Sequence, residues 1–177
     1  MRERRTLLFV DESGFSLLPG VTRTYAPIGE TPSLRHRLTR EHLSVIGAVG
    51  LDAKLYFQVH DHAITSAEAT AFLRHLLRHI PGKLLILWDG APIHRSRVVK
   101  QFLHEEAGGR LHLERVPGYA PELDPQEGIW RHLKYVELRT LCCADLAETR
   151  RALRAGCKRL RQKPNVIRAC VAHAGLV

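Results

Sequence analysis

Two short apolar runs, each closed by an acid, constrain this chain more than any other feature. Leu7-Leu8-Phe9-Val10 runs into Asp11, and Leu84-Leu85-Ile86-Leu87-Trp88 runs into Asp89. Apolar runs of this length, bounded by turn signals, read as buried strands. An acid at the C-terminal end of such a strand lies where open α/β sheets bind their ligands. A third acid, Glu127, follows in Pro121-Glu122-Leu123-Asp124-Pro125-Gln126-Glu127-Gly128-Ile129-Trp130. Two strand-borne acids plus a third can hold a divalent metal, and metal there suits phosphate chemistry.

The rest of the pattern supplies a sheet for these strands. Residues 6–11 read as a central strand. His42–Leu51 and Leu55–His60, separated by Asp52-Ala53-Lys54, read as a hairpin. Ser66–Ile80 has a helical apolar period, a cap at Thr65 or Ser66 and a stop at Pro81-Gly82. Lys83–Asp89 is the second apolar strand and Leu111–Val116 a short third. Helices are expected over Arg97–Ala107, Asp124–Leu138, Asp145–Leu160 and Asn165–Ala174. Strands joined by helical crossovers should be parallel, and the hairpin adds antiparallel strands at one edge. The expected fold is α/β: a mixed five-stranded sheet with helices on both faces.

At 177 residues the chain fits a single domain. We expect a core over about 6–138 and a basic helical segment over about 144–174. No run of 18 apolar residues suggests a membrane span, and the start lacks a signal-peptide pattern, so the expected location is the cytoplasm. Cys142, Cys143, Cys157 and Cys170 form no CxxC pair and read as reduced thiols. The net charge of +9 is uneven: residues 128–177 carry 11 Lys/Arg against 3 Asp/Glu, residues 1–127 carry 16 against 15. A basic segment on a nearly neutral body points to a polyanion, nucleic acid first. A solvated basic helix face explains the same charges equally well.

Each candidate also has a bland reading. Asp11 can be a turn former, and Glu12 competes with it, because neighbours in a strand face opposite ways. Asp89 in Asp89-Gly90-Ala91-Pro92-Ile93-His94 can close an ordinary strand-to-helix turn, with His94 within reach of the same rim. Asp124, Pro125, Gln126 and Glu127 fit the first four positions of a capping box, which alone favours a structural Glu127. Trp130 and Leu133 read as core residues. His60-Asp61-His62 and the His75/His79 pair have zinc-like spacing but no third ligand nearby.

Taken together, four pieces resemble the catalytic domain of bacterial insertion-sequence transposases in the mariner-like DDE superfamily. They are Phe9-Val10-Asp11-Glu12-Ser13-Gly14, Tyr25-Ala26-Pro27-Ile28-Gly29-Glu30-Thr31-Pro32, Leu87-Trp88-Asp89-Gly90-Ala91-Pro92-Ile93-His94, and Pro117 to Trp130 continuing to Leu133-Lys134. The resemblance implies a ribonuclease H-like fold, with the catalytic, metal-holding acids at Asp11, Asp89 and Glu127 and 37 residues between the last two. Two positions depart from the family pattern: Gly90 and Asp124 stand where Asn is usual.

What the resemblance implies is Mg²⁺- or Mn²⁺-dependent phosphodiester cleavage and strand transfer, with two ions per site. Asp11 would bridge both ions, Asp89 and Glu127 would take one each, and His94 would orient a phosphate or water. Arg35, Arg37, Arg131, Lys134, Arg150, Arg154 and Lys158 would meet DNA, the element ends and target. A homo-oligomer is expected on the DNA, with the protein in the cytoplasm at the bacterial nucleoid. Family members carry an N-terminal helix-turn-helix region. Here the first catalytic strand starts about five residues in, so that region is expected to be missing from this chain and supplied, if at all, by a separately encoded partner. The competing classes are a decayed transposase that only binds DNA or a partner, and a ribonuclease H-type nuclease.

Overall fold

Strand β1, Arg5–Ser16, is the spine of a five-stranded sheet. The computed structural model describes residues 4–17, 25–30, 39–117, 121–139 and 141–175. The sheet order is β3-β2-β1-β4-β5, with β2 His42–Gly50, β3 Leu55–His60, β4 Lys83–Trp88 and β5 Leu111–Arg115. β1 pairs antiparallel with β2 and parallel with β4; β2–β3 is antiparallel and β4–β5 parallel. The mixed sheet expected from the sequence is therefore the one observed.

β1 is longer than its apolar run. Its pairing with β4 stops at Phe9↔Leu87, but its pairing with β2 continues to Ser16↔His42. Asp11 thus lies within a strand, two residues beyond the point where β1 loses its parallel neighbour. The cause is tertiary: nothing in Glu12-Ser13-Gly14 favours a strand, and the ladder to β2 makes it one.

Alternation along the strands sorts two cores onto two faces. Leu8, Val10, Ile46, Ala48, Leu84, Ile86 and Trp88 point to one face. There they meet α1, Ser66–His79, and α2, Arg97–Glu105, through Phe72, Leu73, Leu76, Val99 and Phe102. Phe9, Phe15, Leu43, Val45 and Val49 point to the other. There they meet α3, Pro125–His132, α4, Leu146–Arg161, and α5, Pro164–His173, through Ile129, Trp130, Leu153, Leu160 and Ile167. Burying each such large side chain stabilises the fold by about 1.5–3 kcal/mol.

Local chemistry sets the helix ends. Thr65 caps α1, and Glu68 completes a capping box. α3 starts at Pro125 behind the Asp124 cap and continues as one π-helical turn, Leu133–Glu137. That turn, closed by Leu138 N–H to Leu133 O at 2.9 Å, swings Glu137 toward α4 and α5. Its carboxylate, 4% exposed, accepts from Arg159 Nε at 2.6 Å and Lys163 Nζ at 2.8 Å. His132 Nε2 lies 3.4 Å from the same carboxylate, an electrostatic neighbour without hydrogen-bond geometry.

At the sheet's edge, α4 lies along β3. Arg150 donates to Val59 O at 3.0 Å and Arg161 to Leu55 O at 3.1 Å. These are outward carbonyls of the edge strand, so two arginines close part of an otherwise open ladder.

Candidate active site

Asp11 and Asp89 reach one place because strand parity puts them there. Odd positions of β1 and β4 face α3, and the strands are neighbours. Beyond Phe9↔Leu87 the two strands part, and the opening between them is where the acids emerge. A parting between sheet neighbours at the strands' C-terminal ends is the usual ligand crevice of α/β sheets.

Asp11 is held from the helix side. Trp130 Nε1 donates to Asp11 Oδ2 at 2.8 Å. Gly47 makes this possible: it pairs with Asp11 across β1–β2, and a Cβ there would sit 2.6 Å from both Trp130 Cη2 and Gln126 Nε2. Only a glycine lets the indole lie flat enough on β2. Burial and the nearby Asp124 carboxylate push Asp11 up to about 7, against the pull of the Trp130 hydrogen bond.

The helix start brings two more acids. Asp124 Oδ1 accepts from Gln126 N–H at 2.9 Å, which is the N-cap predicted for it. The other half of the capping box is absent: among the described residues the exposed Glu127 side chain makes no hydrogen bond, so capping does not occupy it. Burial and the charges of Glu127, Asp89 and Glu12 raise Asp124 to about 6. Asp11, Glu12, Asp89, Asp124 and Glu127 therefore feel one another as a cluster of like charge. Of the two helix-borne acids, Asp124 is the one that Asp11 feels most.

Asp89 is held from the strand side. Its Oδ1 accepts from Ala91 N–H at 2.9 Å and lies 2.7 Å from His94 Nδ1. His94 sits in the short 3-10 turn Pro92–Arg95, its side chain 3% exposed, with its ring stacked on Trp88 at 3.8 Å between centroids. Its Nε2 lies 3.0 Å from Glu12 Oε1. Burial alone would lower the imidazole's pKa, but Glu12 and Asp89 outweigh it and raise it. The expectation that His94 orients a phosphate or water meets a buried ring whose Nδ1 donates to the Asp89 backbone carbonyl at 3.2 Å and whose Nε2 faces Glu12.

Gly90 has its own consequence. A Cβ there would fall among the Nε, Cζ and Nη2 atoms of Arg115, at the end of β5. The Arg115 guanidinium occupies the space that a side chain at position 90 would fill.

The basic candidates are scattered. Lys134 donates to Ser13 Oγ at 2.7 Å and lies over the Phe15 ring. Arg131 is exposed in an open groove that also contains Asp124, Glu127 and Trp130. Arg154 and Lys158 are exposed on α4, against β2 and β3, two strands away from Asp89 on β4. Arg150 is committed to Val59 O and stands 3.5 Å from Asp61. Arg35 and Arg37 lie outside the described residues. The histidine pairs gather no third ligand: among the described residues no three His, Cys, Asp or Glu side chains are placed to enclose an ion.

Sequence reasoning missed Glu12 as a partner of His94, Trp130 as a donor to Asp11, and Arg115 over Gly90. One of these had a signal. A buried indole N–H needs an acceptor, and Asp11 is the odd-face acid nearest in the pattern.

A mixed sheet in the order β3-β2-β1-β4-β5, with acids emerging where β1 and β4 part and an acid-bearing helix behind, is a ribonuclease H-like fold. The model of the DDE superfamily endonuclease family matches residues 6–146, and the chain belongs to that family. Its fold is similar to the Mos1 strand transfer complex (TM-score 0.65, 17% identity), of which it covers 54% while 96% of this chain is aligned. It is also similar to the catalytic domain of Mos1 mariner transposase (TM-score 0.60, 15% identity, 96% of this chain and 82% of that one). A simian T-cell lymphotropic virus intasome in complex with PP2A regulatory subunit B56 gamma matches at TM-score 0.53 and 16% identity, over 88% of this chain and 49% of that one. The chain thus spans about half the length of the full-length Mos1 chains it resembles. No curated protein sequence matches it.

Proposed function

We propose that this chain is the catalytic domain of a transposase of the bacterial insertion-sequence kind, cutting and joining DNA in transposition. One observation carries this reading. Asp11 and Asp89 emerge on one face where neighbouring strands part, opposite the acids at the start of α3, and the group carries unbalanced negative charge. A fold does not keep like charges together without a cation to meet them or a reaction to use them.

Asp11, Asp89 and Glu127 would hold Mg²⁺ or Mn²⁺, two ions per site. The donor set fits: all are hard carboxylate oxygens. That no three enclose an ion is compatible with Mg²⁺, which keeps several waters and takes one or two protein carboxylates beside substrate phosphates. Such ions lower the pKa of a bound water or 3′-hydroxyl and stabilise the leaving oxygen. The chain's own residues do the positioning. Trp130 holds Asp11 by one oxygen, the Ala91 N–H holds Asp89 by one oxygen, and Glu127 is left without an internal partner. DNA is the proposed substrate, with Arg131, Lys134, Arg154 and Lys158 as the basic residues that would meet its phosphates and Arg35, Arg37 and Arg150 as weaker candidates. Several copies on the element ends, and a separately encoded helix-turn-helix partner, are part of the same proposal.

The test is Mn²⁺-dependent nicking of supercoiled plasmid, compared with Asp89→Ala. Loss of nicking in the variant at an unchanged melting temperature is expected, and equal nicking overturns the reading. The third acid is tested in the same assay. Glu127→Gln should abolish nicking while Asp124→Asn keeps it, because Asn still caps the helix. Asp124 is the helix-borne acid whose charge Asp11 feels most, and the reverse result would move the third ligand to Asp124.

A further inference from the structure

Glu12, His94 and Asp89 form a chain of contacts across the top of the sheet that none of the assigned roles uses. His94 Nδ1 is 2.7 Å from Asp89 Oδ1, and His94 Nε2 is 3.0 Å from Glu12 Oε1. Parity explains the arrangement. Glu12 follows Asp11 and so points to the opposite, α1/α2 face, where Trp88 forms the platform beneath His94. The ring is fixed in three ways: stacking below, an acceptor at each nitrogen (the Asp89 carbonyl at Nδ1 and Glu12 at Nε2), and a short 3-10 turn.

The consequence falls on Asp89. Its backbone lies at the exposed end of β4, where a carboxylate would otherwise rotate freely. Ala91 N–H donates to Asp89 Oδ1 at 2.9 Å, while His94 Nδ1 donates to the Asp89 backbone carbonyl at 3.2 Å and lies 2.7 Å from Oδ1. Among the described residues, Oδ2 is the oxygen with no donor. We infer that His94 is a positioning residue: it fixes the Asp89 backbone through the carbonyl and stands beside Oδ1, which Ala91 N–H holds, so that Oδ2 is presented to the crevice, and Glu12 orients His94 from behind. The inference rests on the proposed metal role of Asp89. A histidine held between a carboxylate and the backbone of a ligating residue acts as outer-shell support, whose loss typically weakens metal affinity by 10- to 100-fold.

Two amides separate this role from a merely structural one. An Asn amide nitrogen falls close to the position of a His Nδ1, and a Gln amide nitrogen close to Nε2. His94→Asn keeps the Asp89 contact and drops that to Glu12, while His94→Gln does the opposite. His94→Phe keeps the stack on Trp88 and drops both. Mn²⁺ affinity, measured by calorimetry on the full chain without DNA, should fall about 10-fold or more in His94→Gln and His94→Phe. It should be largely restored in His94→Asn.

Equal affinity in all four proteins overturns the inference, and so does tighter binding by His94→Phe, which would mean that His94 competes with the cation. Asp89→Asn tells the two readings apart. If it binds Mn²⁺ as the wild type does, the metal role of Asp89 fails; if it loses binding while His94→Gln does not, only the positioning role fails. Should the variants not fold, ¹⁵N-histidine spectra of the wild type decide. A slowly exchanging Nδ1–H on His94, donated to the Asp89 carbonyl, is expected, and a ring without it overturns the assignment.

Discussion

On the α1/α2 face of the sheet, the buried layer is Leu, Ile, Phe and Ala almost to its rim, where Trp88 and His94 begin. On the α3–α5 face, the layer closes over Trp130, Gln126 and, at its margin, Glu137. Gln126 is fully buried, and among the described residues neither its amide nitrogen nor its oxygen has a partner. Orphaned polar groups are costly. The Gln126 pair lies on the face that carries Asp11, and among the described residues the layer behind it has one such group at its rim, Trp88 Nε1. The first face is filling that sets the sheet's stability. The second is a packed layer bent around the needs of one carboxylate.

Four substitutions sharpen or break that contrast. The largest effect should come from Phe72→Ala, in the apolar layer: about 3–5 kcal/mol of stability by urea unfolding, with nicking unchanged at low temperature where the variant is folded. A loss of nicking in the folded variant would mean that the two faces are not separable. Gly47→Ala should come next. Its new methyl meets Trp130 and Gln126 at 2.6 Å, costing about 1–3 kcal/mol by overpacking. Nicking should fall more than the stability loss explains, because the indole can no longer reach Asp11. Nicking that tracks stability alone would remove Trp130 from the site.

Glu137 tests the polar margin of the second face by pH. Burial works against its charge, but Lys163 and Arg159 outweigh burial and hold it at about 2, below the ordinary carboxylate value of 4.5. A depressed carboxylate stabilises the fold above its unfolded pKa, and that contribution is lost as pH falls from about 4.5 toward 2. Its two partners are half exposed, so Glu137→Gln should cost only about 1–2 kcal/mol at neutral pH. Unfolding curves of wild type and variant should converge as the pH drops through that window. A constant gap between them would show that shape, not charge, holds the π-helical turn. The smallest effect is expected for Gly90→Asn. The clash is with the far end of a flexible arginine, so stability should change by less than about 0.5 kcal/mol, while the side-chain Nε–H signal of Arg115 should shift. A large destabilisation would mean that the guanidinium is fixed there.

Much of this was legible in the chain itself. Apolar runs ended by acids marked β1 and β4, and parity with parallel pairing was enough to put Asp11 and Asp89 side by side. Helix starts at Thr65 and Asp124 followed from capping chemistry. The extension of β1 through Glu12-Ser13-Gly14 was not legible, because only pairing with β2 makes those residues a strand. Nor was the π-helical turn, whose extra residue leaves no mark on an apolar period. The direction of long side chains was also hidden. Arg150, Arg154 and Lys158 lie along one helix in sequence, yet Arg150 turns back to a backbone carbonyl while the other two stay exposed.

The arginines over the β3 edge bear on how the molecule keeps to itself. A bare edge strand invites another chain to add to it, and a transiently crowded protein would polymerise along that seam. Guanidinium groups seated on Val59 and Leu55 carbonyls refuse that partner while bringing the positive charge close to the sheet. Part of the +9 net charge is therefore a guard on the molecule's own flank. Its chemical neutralisation would be felt first as clumping of the protein, ahead of any change in what the protein attracts.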